Sequence, residues 1–423
     1  MIEDYLHYIW KFGLFNKIEL KTEDCEALEI LNLGIHNFDS GPDFLQAQIS
    51  IDNIKWFGNV EIHVNTSDWD KHKHQLDKAY NNVILHVVYN HDKEIYNQKA
   101  ELIPTVELKD LLDHEHYFGY ERFISNQKWI PCEKLISTIS QMKINSWLDR
   151  MLLERLERKS LEIEKELRLT NGDWDEVCYR FVFRYFGMKV NGNPMMDLAR
   201  RTPFKVLQKE SKSCFALEAL LFGQSGMLDD DFNDEYFSKL KEEYLFQKQK
   251  YGLVSMNNVQ WRYSKLRPPN FPSIRIGQLA MLYSSNSSFF QLIRNMESIG
   301  KIKEIFKTST SSYWKNHYVF GKYSENTKNT AGKMLLDNIL INTVIPVCFA
   351  YGKSISDQSY IDYAITLLKA VQPEINKITS KWSCLGMPIK SAFDSQALIE
   401  LYGNYCSKKK CLNCNLGVTL LNK

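Results

Sequence analysis

Two hydrophobic periodicities divide this chain near Pro131, and a fold with one kind of secondary structure cannot satisfy both. Before that point the apolar residues come in short, alternating runs. FLQAQISI (44–51) places Leu45, Ala47, Ile49 and Ile51 on every second residue, the period of a strand. Asp52-Asn53 supplies a hairpin turn, and IKWFGNVEIHV (54–64) returns as the partner strand. NVILHVVYN (82–90) is rich in Val and Ile and suits a buried strand. EDCEALEILNL (23–33), with Thr22 as N-cap, reads as a short helix, NFDSGPDF (37–44) as a turn, and SDWDKHKHQLDKAY (67–80) as a polar, turn-like connection.

After Pro131 the period lengthens. Ile144, Trp147, Leu148, Met151, Leu152 and Leu156 fall on one face, with charges on the other, and predict a long amphipathic helix over 144–169. Further helices are expected over 175–187, 212–226, 232–252, 274–285, 333–344 and 359–371, most of them punctuated by Gly or Pro. The expected fold class is α+β, with a small mixed α/β domain over 1–135, a mostly helical domain over 136–380, and a Cys-containing tail over 381–423. No fixed-period repeat interrupts that division.

The same boundary separates two kinds of charge. Residues 1–116 hold 10 Lys, no Arg and 21 Asp or Glu, together with nine of the ten histidines. The remainder holds every Arg and a net charge of +13 against −11 for the first part. The two parts are therefore expected to do different work. A hydrophobic content of 44% and a charged content of 25% exclude disordered and collagen-like chains. Glu3 and Asp4 stand where an export signal would carry Lys or Arg. The longest apolar run, 339–351, contains Asn342 and Pro346 and is too short to span a bilayer, so it reads as a buried helix. Nine cysteines, an odd number, suit a reducing compartment. A cytoplasmic protein without a membrane partner is expected; the oligomeric state stays open.

The chemistry-bearing residues concentrate in the acidic part. In GPDF (41–44) and VEIH (60–63), an Asp enters one strand and a Glu lies on the next, and strand alternation puts Glu61 and His63 on one side with Ile62 on the other. Two such carboxylates suit a hard divalent cation, Mg2+ or Mn2+, which would polarise a phosphodiester and acidify a bound water. Asp43 and Glu61 are the candidate ligands, and His63 is the candidate group that orients or deprotonates that water. His72, His74 and His86, interleaved with Asp68, Asp70 and Asp77, offer a rival set of nitrogen ligands for zinc or manganese. The plain alternative is that Asp43 caps a turn, Glu61 and His63 form a polar strand face, and His72 and His74 sit in a solvated turn.

Pro42-Asp43 followed by Glu61-Ile62-His63 across a hairpin resembles the PD-(D/E)XK nuclease superfamily, whose core runs α-β-β-β-α-β. The resemblance covers roughly residues 20–90 and departs from the pattern at His63, where that superfamily usually has Lys. It implies a metal-dependent phosphodiesterase acting on DNA or RNA, with an acidic residue from the preceding helix, Glu26 or Glu29, completing the site. A non-catalytic scaffold with a degenerate nuclease core is the other reading it allows. Taken in order, GPDFLQAQISI, GNVEIHVNTSDWDKHKHQLDKAYNNVILHVVYNHD, EALLFGQSGML, LRPPNFPSIRIGQLA and CSKKKCLNCNLG are similar to one uncharacterised bacterial family, a domain of unknown function spanning nearly the whole chain.

In the basic part, Arg200, Arg201 and Lys205, then Arg262, Lys265, Arg267 and Arg275, stand beside Trp261, Tyr263 and Phe271. Cations for phosphates and rings for bases make these candidate nucleic-acid contacts, with surface ion pairs as the plain alternative. Pro268, Pro269 and Pro272 predict a rigid, exposed, non-helical segment there. An acidic half repels nucleic acid, so the basic half is expected to supply the phosphate contacts. In the tail, Cys406, Cys411 and Cys414 with the distant Cys384 are candidate ligands for Zn2+ or an iron-sulfur cluster, and Lys408, Lys409 and Lys410 would offset their charge. The arrangement resembles the C-terminal iron-sulfur staples of DNA-processing enzymes, and three free thiols are the alternative.

Overall fold

Residues 1–422 other than 19, 38, 287 and 326 are described by a computed structural model. The expected hairpin is present: β3 (Phe44–Ile51) and β4 (Ile54–Asn65) pair antiparallel with Ile51 opposite Ile54. The two turn residues, Asp52 and Asn53, both take left-handed backbone angles (φ 47° and 66°), which matches the twist of a two-residue hairpin. The expected strand at 82–90 is β5 (Val83–Asn90), parallel to β4. A parallel pair needs a crossover, and residues 66–82 supply it.

The segment expected as a helix over 23–33 instead forms β1 (Leu28–Asn32), paired antiparallel with β3 through Leu28–Ile51 and Ile30–Ile49. Leu28 and Ile30 also fit a two-residue period, and pairing to an open sheet edge satisfies their backbone groups as a short isolated helix would not. With β2 (Ile35–His36) and β6 (Thr105–Glu107) the sheet order is β1-β3-β4-β5-β6, and β2 also pairs with β3. The turn at 37–44 joins β2 to β3, and Phe38 within it lies outside the described residues.

The chain divides into two compact units. One comprises residues 1–144 and 403–423 and the other 145–402, so the expected tail over 381–423 is divided, with 403–423 in the α/β unit and 381–402 in the helical unit. In the α/β unit, α1 (Glu3–Phe12) buries Tyr5, Leu6, Ile9 and Trp10 against Val60, Ile62, Leu85 and Val87 of the sheet. Each large apolar side chain so buried contributes about 1.5–3 kcal/mol. α2 (Asp68–Lys71) lies in the crossover, and α3 (His114–Ser125) adds Tyr117 and Tyr120 to the same core. Leu412 from the tail is part of that core, with Val418 and Leu421 packed against it.

A register shift between β4 and β5 pairs Asn59 with Val83 but Val60 with Leu85. The extra residue, Ile84, flips the strand, so that Val83 and His86 share the face turned away from the main core. There Trp69, Val83, Ile95 and Ile103 form a second, smaller core. Gly58 makes this crossover possible, because a Cβ there would lie 2.5 Å from the Asn82 carbonyl oxygen and 2.4 Å from Ile84 Cγ2.

The helical unit follows the expected spans closely. It contains α4 (Gln141–Leu169) from Asn145 on, α5 (Trp174–Phe186), α6 (Met188–Arg201) and further helices over Cys214–Gln224, Glu235–Tyr251, Pro272–Ser285 and Gln358–Ala370. One correction concerns the proline segment. Pro268–Asn270 forms a 3-10 turn, and Pro272 opens a helix, because proline at a first helical position loses no hydrogen bond. Among the described residues one helical run, Lys333–Ser354, is long and apolar enough to cross a membrane, and 78% of its apolar window is buried inside the protein.

Candidate metal centre

Glu61 and His63 lie on the face of β4 opposite Ile62, as strand alternation requires. Glu61 is 4% exposed, His63 2% and His86 of the neighbouring strand 0%. Asp43, at the entry to β3, is locked to this strand by two reciprocal bonds. Its backbone N–H donates to Glu61 Oε2 (3.1 Å), and its Oδ2 accepts from the Ile62 N–H (2.9 Å). The two carboxylates expected to act together are therefore neighbours.

The crossover lays two more imidazoles over them. Trp69 anchors it, fully buried and donating from Nε1 to the Tyr96 carbonyl (3.2 Å). His72 ends α2 in helical geometry, and Lys73 is left-handed (φ 63°), so His72 and His74 are aimed by a tight turn and not by an extended His-x-His segment. His63 Nε2 lies 3.1 Å from His72 Nδ1, and one nitrogen from each of His63, His72 and His74 falls within 4.8 Å of the others. Glu61 Oε1 is 3.3 Å from His74 Nε2 and 3.6 Å from His63 Nε2. His74 stacks on Tyr80, ring centroids 3.8 Å apart, which fixes its plane.

His86 stands behind this group. Its Nε2 is 2.8 Å from His63 Nδ1, and its own Nδ1 is buried without a hydrogen-bond partner. A lone pair on His63 Nε2 then requires the His63 proton on Nδ1, donated to His86, the usual way an outer imidazole fixes the tautomer of an inner ligand.

The electrostatics favour a cation. Burial raises Glu61 well above the usual carboxylate range, and the nearby Asp43 charge raises it further, while the Asp43 backbone N–H and His7 act the other way. Burial pushes His63 down to about 4, reinforced by His74 and His72. Burial also holds His74 below its ordinary value and His86 far below. Neutral imidazoles are the form that binds metals, and a buried carboxyl regains its charge when a cation compensates it.

Two residues join the site without having been anticipated from the sequence. His7 Nε2 lies 3.3 Å from Asp43 Oδ2. Burial alone would lower His7, but the bond to Asp43 and the Asp43, Glu3 and Asp4 charges raise it overall. Glu3, one turn earlier on α1, is close enough for its charge to act on His7, Glu61 and His74. Glu3 is therefore a helical acidic residue whose charge reaches this group. Glu26, half-buried ahead of β1, bonds its amide to Thr22 Oγ1 (3.2 Å), and Glu29 lies exposed on β1 opposite Ser50. The signal for α1 was its i, i+4 pair Glu3 and His7 beside buried Tyr5, Leu6 and Ile9.

The remaining candidates fall elsewhere. Arg275 is buried, 5% exposed, and spends its guanidinium on Gln278 Oε1 and Asn270 Oδ1 (both 2.7 Å), so it serves the helical core and presents nothing to a phosphate. Arg200 is paired with Glu166 and Asp197. Arg201, Lys205, Arg262, Lys265 and Arg267 are exposed. Cys384 is exposed in the helical unit, whereas Cys406, Cys411 and Cys414 belong to the α/β unit, where Cys132 is also found.

No curated protein and no solved structure matches this chain. A family profile does, over residues 3–377, described as "Protein of unknown function (DUF2851)". That span includes Glu3, His7, Asp43, Glu61, His63, His72, His74 and His86, and it stops short of the tail cysteines. The chain belongs to the DUF2851 family.

Proposed function

We propose that the α/β unit is a divalent-metal-dependent hydrolase of phosphodiesters, with nucleic acid as the substrate class. The observation that carries this reading is the convergence of His63, His72 and His74 nitrogens within 4.8 Å, with Glu61 Oε1 3.3–3.6 Å from two of them. Three imidazoles and a carboxylate suit zinc or manganese. Asp43, locked beside Glu61, adds a second carboxylate of the kind that binds Mg2+ or Mn2+. A cation held there would acidify a bound water and polarise the phosphoryl oxygen. His7, whose basicity the bond to Asp43 raises, is the candidate to protonate a leaving oxygen. The phosphodiester assignment draws on the order of elements, a helix, a hairpin entered by Asp43 with Glu61 on its second strand, and a parallel strand after the crossover. The nine free cysteines accord with a cytoplasmic setting.

The test is hydrolysis of labelled single- and double-stranded DNA and RNA by the full chain with Mn2+, Zn2+ or Mg2+. Cleavage should fall by about 10²–10⁴-fold in Glu61→Gln and His74→Ala proteins that keep the wild-type circular dichroism spectrum. Absence of cleavage with every metal, or equal cleavage by the variants, rejects the hydrolase. Metal binding without cleavage would leave a non-catalytic metal-binding module.

A further inference from the structure

Three imidazoles stand in series between the buried sheet and solvent. His86 on β5 is fully buried, with its Nε2 2.8 Å from His63 Nδ1. His63 on β4, 2% exposed, places its own Nε2 3.1 Å from Nδ1 of His72, which is exposed at the end of α2. Glu61 Oε1 lies 3.6 Å from that same His63 nitrogen. The inner end of the series is closed, because His86 Nδ1 is buried without a hydrogen-bond partner and Trp69 packs against the ring, centroids 5.6 Å apart.

A neutral imidazole carries one proton, so both contacts are hydrogen bonds only if the protons run in one direction. Outward, His86 Nε2–H donates to His63 Nδ1, His63 Nε2–H donates to His72 Nδ1, and His72 keeps its proton on Nε2 toward solvent. Every donor is then matched. Inward, His72 Nδ1–H donates to His63 Nε2 and His63 Nδ1–H donates to His86 Nε2, which strands the His86 proton on Nδ1 with no acceptor. An unmet buried N–H is the rarer defect in folded proteins, so without a cation the outward direction is favoured.

A cation needs the His63 Nε2 lone pair, and the outward series spends it on a proton. We propose that cation binding moves the protons of both His63 and His86 from Nε2 to Nδ1, which makes His86 a positioning residue that governs how readily His63 serves as a ligand. This rests on the metal centre proposed above. The His86 Nε2 proton crosses to His63 Nδ1, the His63 Nε2 proton leaves through His72 to solvent, and one proton from solvent water reaches His86 Nδ1 during local opening. Each ring therefore begins and ends neutral, with one proton. The 3.1 Å contact between His63 Nε2 and His72 Nδ1 changes from a hydrogen bond to two facing lone pairs that a cation reconciles. The stranded His86 N–H is the cost of the loaded state, and it lowers the apparent affinity by the fraction of chains that must be converted.

The experiment uses full-length protein labelled with 15N in histidine, at about pH 7.5, where burial keeps His63 and His86 neutral. Long-range proton–nitrogen correlation spectra distinguish protonated from bare ring nitrogens, and loss of signals in His63→Gln and His86→Gln proteins assigns the rings. Without metal, His63 and His86 should both carry the proton on Nε2; with Zn2+ bound, both should carry it on Nδ1. His86→Gln, whose side-chain carbonyl accepts from His63 Nδ1–H, should hold Zn2+ within about threefold of wild type, whereas His86→Phe should weaken it at least about tenfold. A residue that only fills space would make the two variants alike, and equal weakening overturns the proposal. So do protons already on Nδ1 without metal, or protons that stay on Nε2 while Zn2+ shifts the His72 and His74 signals; either result leaves the metal centre standing. Zn2+ that moves no histidine signal removes the centre and the inference together. Should His86→Phe fail to fold, the wild-type spectra decide.

Discussion

Glu61 and Glu166 are each only 4% exposed, yet the two units treat them in opposite ways. In the helical unit, Glu166 on α4 is gripped by Arg180 at 3.1 Å and by Arg200. Burial alone would raise its pKa, but these two guanidinium groups lower it overall. Glu400 is handled alike, with Arg158 at 2.6 Å and Arg155 at 3.6 Å. In the α/β unit, Glu61 faces imidazoles and Asp43, with no Lys or Arg in an ion pair to it among the described residues. The charges of Glu166 and Glu400 are neutralised by built-in countercharge, which is a structural arrangement. Around Glu61 no Lys or Arg countercharge is present among the described residues while imidazole nitrogens converge, and the proposed cation site rests on that difference.

The sharpest way to break this comparison is to remove each carboxylate in turn. Glu166→Ala removes one of the two carboxylates on Arg180, which keeps Glu176 at 2.9 Å, and should destabilise the helical unit by about 1–3 kcal/mol, read from its urea unfolding transition. Glu61→Gln should change metal-free stability by less than about 1 kcal/mol, because burial and the Asp43 charge favour a neutral carboxyl there, which Gln imitates. A cost for Glu61→Gln as large as that for Glu166→Ala would mean that Glu61 is a structural ion like the others.

The comparison sharpens next under metal. With Zn2+ or Mn2+ at about 100-fold its dissociation constant, the wild-type α/β unit should gain about 2.7 kcal/mol, and the Glu61→Gln and His74→Ala proteins should gain far less. Thermal shift with and without chelator measures this. The helical unit's transition should not respond.

Acid provides a comparable effect of opposite direction. His63 is held at about 4 against an ordinary 6.5, so the folded state favours the neutral ring. Its stabilisation is complete above about 6.5 and is lost as pH falls through 4, on the order of 3 kcal/mol for one fully buried group. Glu61, raised by burial, works the other way: its contribution is present below 4.5 and declines as pH climbs. Metal-free α/β unit should therefore unfold at a higher pH than the Arg-paired helical unit, as followed by tryptophan fluorescence. A His63→Phe protein should lose most of that acid limb.

The smallest effects belong to the exposed cations. If nucleic acid runs over the helical unit, Arg201→Ala, Lys205→Ala and Arg267→Ala should each reduce the salt slope of binding by roughly 0.7–0.9. Arg275→Ala should instead lower stability, since that group is buried against Gln278 and Asn270.

Most of the fold was legible because its periodicities are strong. The hairpin turn at Asp52-Asn53, the buried strand at 83–90 and the long helix α4 all follow from local pattern. The strand at 28–32 was not legible, because five residues with three apolar positions satisfy either period and only the edge of β3 decides between them. The site was half legible. Asp43, Glu61, His63 and the crossover histidines stand out as residue types, whereas His7 and Glu3 reach the same place only through the packing of α1.

By itself, the sequence determined that an acidic, His-rich α/β part precedes an Arg-rich helical part, since composition and periodicity are properties of the chain. Tertiary structure alone decided which groups meet. Whether a carboxylate becomes half of an ion pair or the neighbour of converging imidazoles depends on distance and burial, and neither is written in sequence spacing. The same holds for the tail, where spacing grouped Cys384 with Cys406, Cys411 and Cys414, and folding leaves Cys384 exposed in the helical unit and the other three in the α/β unit.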